Sequence, residues 1–220
     1  MNLNDFFLKH QYKVIALLLF LHLVGLVGLI SPYSSFFLTL TPINLLLSVM
    51  LVLLCNGVLS TQLKYWLSIT FILGYGIEVI GVKTGLIFGD YFYTPVLGYS
   101  ILGVPLMLGF NWIMVSFGSF SIVNTLKINK FFKVVLAAIL CVLLDFFIEP
   151  VAVYFHYWVW KNGTPPIQNY LAWFMVAFAL QSMAHYASRG TIKSNKVAAA
   201  LFVIQFIFFL LLSSYIYLFS

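Results

Sequence analysis

The sequence predicts an all-α, polytopic membrane helix bundle of about seven transmembrane helices, forming a single integral-membrane domain over residues 1–220. The chain is 63% hydrophobic and only 7% charged, whereas soluble domains carry about 25% charged residues. Long apolar runs, each close to the length of about 20 residues that a bilayer requires, occupy most of the chain. This composition excludes a soluble enzyme or a separate soluble domain.

The apolar runs predict spans at residues 14–30, 36–54, 65–80, 100–124, 131–149, 169–188 and 197–219. The first span follows Lys9 and Lys13 but lacks an A-x-A-like cleavage site, which indicates a retained helix rather than a signal peptide. The second span has two candidate starts, because Thr41-Pro42 allows its helix to begin as late as Pro42.

Glycine and proline punctuate the later spans. The third span is the shortest, and Gly74 and Gly76 are predicted to interrupt it. Pro150 follows the fifth span, and a kink there would let the helix continue towards Trp160.

The distribution of Lys and Arg predicts the orientation. Nine of the eleven basic residues fall on one side of the predicted bundle: Lys9, Lys13, Lys64, Lys127, Lys130, Lys133, Arg189, Lys193 and Lys196. Only Lys83 and Lys161 fall on the other side. The positive-inside rule then predicts a cell-membrane protein with a cytoplasmic N-terminus and an external C-terminus. It also accounts for the net charge of +6, so no nucleic-acid partner is predicted.

The stretch at residues 78–105 is unlike the rest of the chain. It holds five glycines, two prolines, the acids Glu78 and Asp90, and Lys83. Polar, flexible backbone near a bilayer is tolerated only where protein or a wet cavity satisfies it. Polar groups in such a place are candidate functional residues.

Four of the five acids collect at the predicted outer face: Glu78, Asp90, Asp145 and Glu149. Asp145 and Glu149 are four residues apart, so they share one helical face about one turn from each other. Two carboxyl groups so near each other in a poorly solvated place resist double ionisation, so one of them should stay protonated. An acid beside its conjugate base suits proton transfer to an apolar substrate.

Each acid also has a structural interpretation. Glu78 could cap its helix against Lys83, and Asp145 and Glu149 could be helix-end residues solvated by lipid headgroups. Asp90 is expected to shape a turn rather than to do chemistry.

Other polar and aromatic residues are ambiguous. Gln168 and Asn169 are equally good candidates for helix caps and for site residues. Trp158 and Trp160 fit an aromatic belt at the membrane surface, and His185 is expected to reach the inner interface from its helix end.

Several kinds of site are absent from the sequence. It contains no HExxH, CxxC or histidine cluster typical of a metal site, and no glycine-rich phosphate loop. The seventh span contains no lysine, so a retinal Schiff base is not supported. No metal and no cofactor are therefore predicted.

An ordered set of motifs resembles the integral-membrane carotenoid biosynthesis proteins. It consists of E-x-x-G-V-x-T-G-x-x-F-G-x-Y-x-Y at residues 78–93, G-V-P-L at 103–106, N-W at 111–112, D-F-F-I-E-P at 145–150, W-x-W at 158–160 and Q-N-Y-x-A-W at 168–173. Each motif is weak alone, but together and in order they cover about half of the chain.

The resemblance implies a hydratase of the bisanhydrobacterioruberin hydratase or carotenoid 1',2'-hydratase type. Such enzymes add water across the terminal isopropylidene double bond of an acyclic carotenoid. Many relatives carry Asp at the position of Glu149, so this chain keeps a carboxylate there. The position of Asp90 varies in the family, which argues against a catalytic role for it.

This chemistry requires a proton donor, stabilisation of a tertiary carbocation and a placed water molecule, and it requires no cofactor. Glu78, Asp145 and Glu149 are the candidate catalytic acids. Aromatic faces stabilise a cation by about 0.5–2 kcal/mol each. The candidate substrate-binding residues are Tyr91, Tyr93, Asn111, Trp112, Asn169 and Trp173.

Two other functions remain open on the sequence alone. A carotenoid end-group cyclase would share the first protonation but exclude water. A proton-coupled membrane carrier, which is not an enzyme, would use the acids as a relay, although the sequence shows neither inverted repeats nor midplane charges. The expected partners are a carotenoid within the bilayer and membrane lipids, and other carotenoid-pathway enzymes are candidates.

Overall fold

The structure, a computed structural model, describes residues 3–187 and 190–219. These residues form nine α-helices: α1 (Leu3–Lys9), α2 (Gln11–Leu29), α3 (Ser34–Thr39), α4 (Thr41–Leu54), α5 (Thr61–Thr84), α6 (Met107–Val123), α7 (Lys130–Tyr154), α8 (Ile167–Ser182) and α9 (Lys196–Phe219). Four short strands accompany them: β1 (Tyr91–Tyr93), β2 (Ser100–Ile101), β3 (Val104–Pro105) and β4 (Trp158–Trp160). The predicted all-α bundle is confirmed.

Four helices, α2, α5, α7 and α9, are long and apolar enough to cross a membrane, and α4 and α6 are shorter apolar helices. The chain is therefore a membrane protein. Its orientation stays a prediction. Arg189, which contributes to the basic count, and Ser188, which ends the predicted sixth span, lie outside the described residues.

Two predicted spans differ in detail from the structure. The span at 36–54 is divided at Leu40 into α3 and α4. The later of its two candidate starts is the one observed for α4, because Thr41-Pro42 begins a new helix and proline is favoured in a first helical turn. The span at 65–80 is neither short nor interrupted, since α5 continues for 24 residues through Gly74 and Gly76. It ends at Gly85, whose φ of +67° suits a left-handed helix cap.

The predicted span at 100–124 begins too early. Residues 100–105 form a hairpin in which β2 pairs with β3, joined by the two-residue turn Leu102-Gly103. Both turn residues have positive φ, +56° and +86°, as a tight hairpin turn requires. The helix α6 begins only at Met107.

The helix α7 continues through Pro150 to Tyr154. This agrees with the alternative in which the fifth helix extends beyond Pro150. The chain then turns back, and β4 pairs antiparallel with β1, with Tyr91 opposite Trp160 and Tyr93 opposite Trp158. This two-stranded sheet joins the segment after α5 to the segment after α7.

The helix α6 lies at the centre of the bundle and packs against α4, α5, α7 and α9. Residues 112–121 of α6 are all buried. Trp112 is completely buried, and it lies against α5 at Gly74. A Cβ atom at Gly74 would be only 2.5 Å from Trp112 Cγ, whereas one at Gly76 would meet no atom within 4 Å.

This difference gives a matched pair of substitutions. We expect Gly76→Ala to raise the stability by up to about 1 kcal/mol, because alanine is the better helix former. Gly74→Ala should instead lower it by about 1–3 kcal/mol, because Trp112 must move. Thermal unfolding of the purified protein in detergent measures both changes. Equal melting temperatures for the two variants would contradict the close α5–α6 packing.

Candidate active site

Glu78 lies in the second-last turn of α5 and is 2% exposed. Its Oε2 accepts hydrogen bonds from the hydroxyl groups of Tyr91 at 2.7 Å and Tyr93 at 2.8 Å. Its Oε1 accepts one from Nε1 of Trp112 at 3.1 Å. The interpretation of Glu78 as a helix cap against Lys83 is therefore wrong, because two phenols and an indole surround the carboxyl group.

Tyr91 and Tyr93 reach Glu78 from the same face of β1, since alternate residues of a strand point the same way. Burial, followed by the nearby Glu78 carboxyl, raises the pKa of both phenols well above its usual value. Both hydroxyl groups stay protonated at any physiological pH and can act as donors.

Asp145 and Glu149 lie one turn apart on α7 and are 1% and 3% exposed. The amide of Asn169 joins them, because its Nδ2 donates to Asp145 Oδ2 at 2.9 Å and to Glu149 Oε1 at 3.1 Å. Asn169 lies in the first turn of α8, whose N-cap residue is Pro166. Of the two alternatives for Asn169, a site position is the one that the geometry supports.

Trp158 and Trp160 complete the surroundings of Glu149. Both indole Nε1 atoms donate to Glu149 Oε2, at 3.1 Å and 2.8 Å. They lie on the same face of β4, opposite Tyr93 and Tyr91. Sequence reasoning assigned these tryptophans to an aromatic belt. The two tryptophans of the W-x-W motif are two residues apart, which puts them on the same face of a strand. This spacing was the sequence signal that they share a partner.

The three acids surround one small cavity of about 20 Å³, which we call the acid cavity. Eight of the nine predicted site residues line it: Glu78, Tyr91, Tyr93, Asn111, Asp145, Glu149, Asn169 and Trp173. The ninth, Trp112, is absent from the lining and stacks on Trp173 with ring centres 4.1 Å apart. The structure thus brings together residues from α5, β1, α6, α7 and α8.

A larger apolar groove of about 280 Å³ lies beside the acid cavity. Its lining falls mainly within residues 21–29 of α2, 37–47 of α3 and α4, 107–111 of α6 and 205–209 of α9. Leu108, Asn111, Ile148 and Trp158 line both spaces. The acid cavity therefore adjoins a groove that suits a hydrocarbon chain. Neither Leu108 nor Ile148 was a candidate from the sequence.

A family model described as carotenoid biosynthesis protein matches residues 19–220. The chain belongs to this family. The resemblance carried by the motifs is confirmed, and the matched region contains every residue of the acid cavity. No curated protein and no solved structure matched the chain. This carotenoid biosynthesis protein thus has a role in carotenoid biosynthesis.

The remaining acid of this region, Asp90, lies apart from the acid cavity in the carotenoid biosynthesis protein. Asp90 Oδ1 accepts an ion-pair hydrogen bond from Lys161 Nζ at 2.9 Å, and both side chains are more than half exposed. The backbone oxygen of Asp90 also accepts from the Lys161 amide. Asp90 therefore stabilises the loop next to the β1–β4 sheet.

Two further polar residues have structural partners. Gln168 Nε2 donates to the carbonyl groups of Leu86 and Ile87, which joins the start of α8 to the loop after α5. His185 is buried against Phe120, with ring centres 4.7 Å apart, so the expectation that it reaches the interface is wrong.

In the described part of the carotenoid biosynthesis protein, no group of three His, Cys, Asp or Glu residues is arranged to hold a metal ion. The acid cavity instead combines three carboxyl groups with indole, phenol and amide donors. Such an arrangement can transfer a proton and stabilise a positive charge beside an aromatic face.

Proposed function

We propose that the protein is a carotenoid hydratase that adds water to the terminal isopropylidene double bond of an acyclic carotenoid. The observation that carries the proposal is that the small acid cavity adjoins the larger apolar groove. The groove suits a hydrocarbon end group, whereas the acid cavity has room for about one water molecule. A water-sized polar space beside the groove favours hydration over ring closure, which must exclude water.

Asp145 is the proposed proton donor. Each of the four carboxyl oxygens of Glu78 and Glu149 accepts at least one hydrogen bond, and Asp145 Oδ2 accepts one from Asn169. Asp145 Oδ1 has no hydrogen-bond partner among residues 3–187 and 190–219. It is therefore the one oxygen of the three acids that no donor of the described residues occupies, and we assign the transferable proton to it.

The proposed reaction begins when the Asp145 carboxyl protonates the CH carbon of the double bond. The π electrons form the new C–H bond and leave a tertiary carbocation on the carbon that carries two methyl groups. Water then attacks this carbon, and Glu149 accepts the proton that the water loses. One water molecule is consumed, and the proton on Glu149 restores the single proton of the Asp145–Glu149 pair.

The aromatic residues at the junction suit the carbocation. Trp158 lines both spaces, and Trp173 lines the acid cavity with Trp112 stacked behind it. An aromatic face is worth about 0.5–2 kcal/mol to a nearby cation. Asn111 lies at the same junction without a side-chain hydrogen bond in the described part of the chain, and we assign it to holding the water.

The carotenoid would reach the groove from the bilayer. Val24, Leu40 and Ile43 line the groove and are 40%, 37% and 63% exposed, on a surface that faces lipid in a membrane protein. We infer that the substrate is a carotenoid dissolved in lipid and that other enzymes of the pathway lie in the same membrane.

Labelled water tests the reaction directly. We expect cells that make an acyclic carotenoid and express this chain to accumulate a product heavier by one water molecule. In H₂¹⁸O the new hydroxyl group should carry ¹⁸O, as mass spectrometry of extracted pigments would show. Cells with the empty vector are the control. A product of unchanged mass would instead indicate a cyclase, and unchanged pigments with any acyclic carotenoid would contradict enzymatic action on this substrate class.

A further inference from the structure

Two buried polar side chains of the groove have atoms without a protein partner in the described part of the chain. His22 of α2 and Gln205 of α9 are 6% and 4% exposed, and both line the groove. The Gln205 side chain makes no hydrogen bond within residues 3–187 and 190–219. The Nδ1 atom of His22 is 2.8 Å from the Leu18 carbonyl oxygen, which leaves Nε2 without a partner in the same ranges.

The two side chains lie on facing surfaces of α2 and α9. The His22 ring meets the ring of Phe208 edge-on, with centres 5.6 Å apart. Gln205 precedes Phe208 by three residues on α9, so the two share one helical face. Phe208 also lines the groove. His22 and Gln205 therefore both present polar atoms to the groove near Phe208, in a lining that is mostly apolar but also includes Thr41, Asn44, Asn111 and Tyr157.

The chemistry of the pair is selective. A carbonyl oxygen only accepts, so Nδ1 of His22 carries the hydrogen that binds Leu18, and Nε2 of the neutral ring is an acceptor. The Gln205 amide offers both a donor and an acceptor. A hydroxyl group can donate to His22 and accept from Gln205, whereas a keto oxygen can only accept. A plain hydrocarbon would leave the buried polar atoms of both residues unpaired, which is unfavourable.

We propose that His22 and Gln205 form a binding subsite for a hydroxyl group on the carotenoid that occupies the groove. That the molecule in the groove is a carotenoid rests on the proposed function. The hydroxyl group itself is inferred from the two unpaired side chains. The preferred substrate then already carries a hydroxyl group, which an earlier hydroxylation or hydration must supply.

Binding measurements test the subsite separately from turnover. The protein carries Asp145→Asn to stop the reaction and is placed in lipid nanodiscs. Binding of lycopene, and of monohydroxylated lycopenes that differ in hydroxyl position, is followed by the shift in carotenoid absorption. We expect at least one hydroxylated form to bind about tenfold or more tightly than lycopene, because sites built to bind a hydroxyl group discriminate against its absence.

Gln205→Leu and His22→Leu should each abolish this preference without weakening the binding of lycopene. Both remove an unpaired polar atom, so folding should be kept, and thermal unfolding checks this. Gln181→Leu is the matched control, because Gln181 is a buried glutamine that binds Ser116 and Ser119 outside the groove. The proposal is overturned if lycopene binds as tightly as every hydroxylated form, or if the preference survives both substitutions. Failure of the ¹⁸O experiment with this preference intact would refute the hydratase and leave the subsite standing.

Discussion

Asp145→Asn should lower the rate of carotenoid hydration by about 100-fold or more, the usual scale for loss of a general acid. Asparagine keeps the size of the side chain and can still accept from Asn169, but it has no acidic proton. The measurement is the initial rate of product formation by protein that is folded and inserted in the membrane. Expression level must be measured with it, because failure to insert would imitate a catalytic defect.

Asp90→Asn is the matched control for this substitution. It makes the same chemical change on an exposed side chain whose partner is Lys161, and we expect most of the activity to remain. If Asp145→Asn kept full activity, Asp145 would not be the donor. If both variants lost activity equally, the effect could not be assigned to the acid cavity.

Glu149→Gln should also cost about 100-fold or more in rate, and it should lower stability as well. The three partners of this carboxyl group, Trp158, Trp160 and Asn169, all donate to it. Indole nitrogens cannot accept, so the new amide must turn its NH₂ group towards Asn169. Asn169 must then rotate to accept, and Asp145 loses its donor. An unpaired buried donor or acceptor costs about 1–3 kcal/mol.

Glu149→Asp separates the two effects. Aspartate keeps two acceptor oxygens for the same three donors, so we expect this variant to retain more activity and a higher melting temperature than Glu149→Gln. Activity of Glu149→Gln equal to that of the unaltered protein would contradict a role as base. If Glu149→Asp lost as much activity as Glu149→Gln, the exact position of the carboxylate would matter more than its charge.

Hydropathy located the apolar helices but misplaced some of their ends, for a physical reason. Ile101, Leu102 and Val104 are as apolar as helix residues, so a hydropathy pattern joins the hairpin at 100–105 to α6. Positive φ at Leu102 and Gly103 makes a turn there instead. Similarly, Gly74 and Gly76 suggested an interrupted helix, whereas α5 is continuous and one of these glycines admits Trp112.

The acids of the site could be predicted because an ionisable side chain within a membrane is energetically costly and therefore marks a functional position. Their partners were harder to predict. Trp158 and Trp160 resemble interfacial tryptophans in sequence, and only the pairing of β4 with β1 directs them towards Glu149. The groove was not predicted at all, because segments far apart in the chain form it and none of them is unusual by composition.

The order of partners along the chain has a consequence for biogenesis. Among residues 3–187 and 190–219, every donor to Glu78 lies after it in the sequence, at Tyr91, Tyr93 and Trp112. The same holds for Glu149, whose donors follow at residues 158, 160 and 169. The ribosome therefore synthesises each carboxyl group before any of its side-chain donors. A nascent chain that stops short of α8 would hold Asp145 without its amide donor, which makes such a truncated product a natural target for membrane quality control.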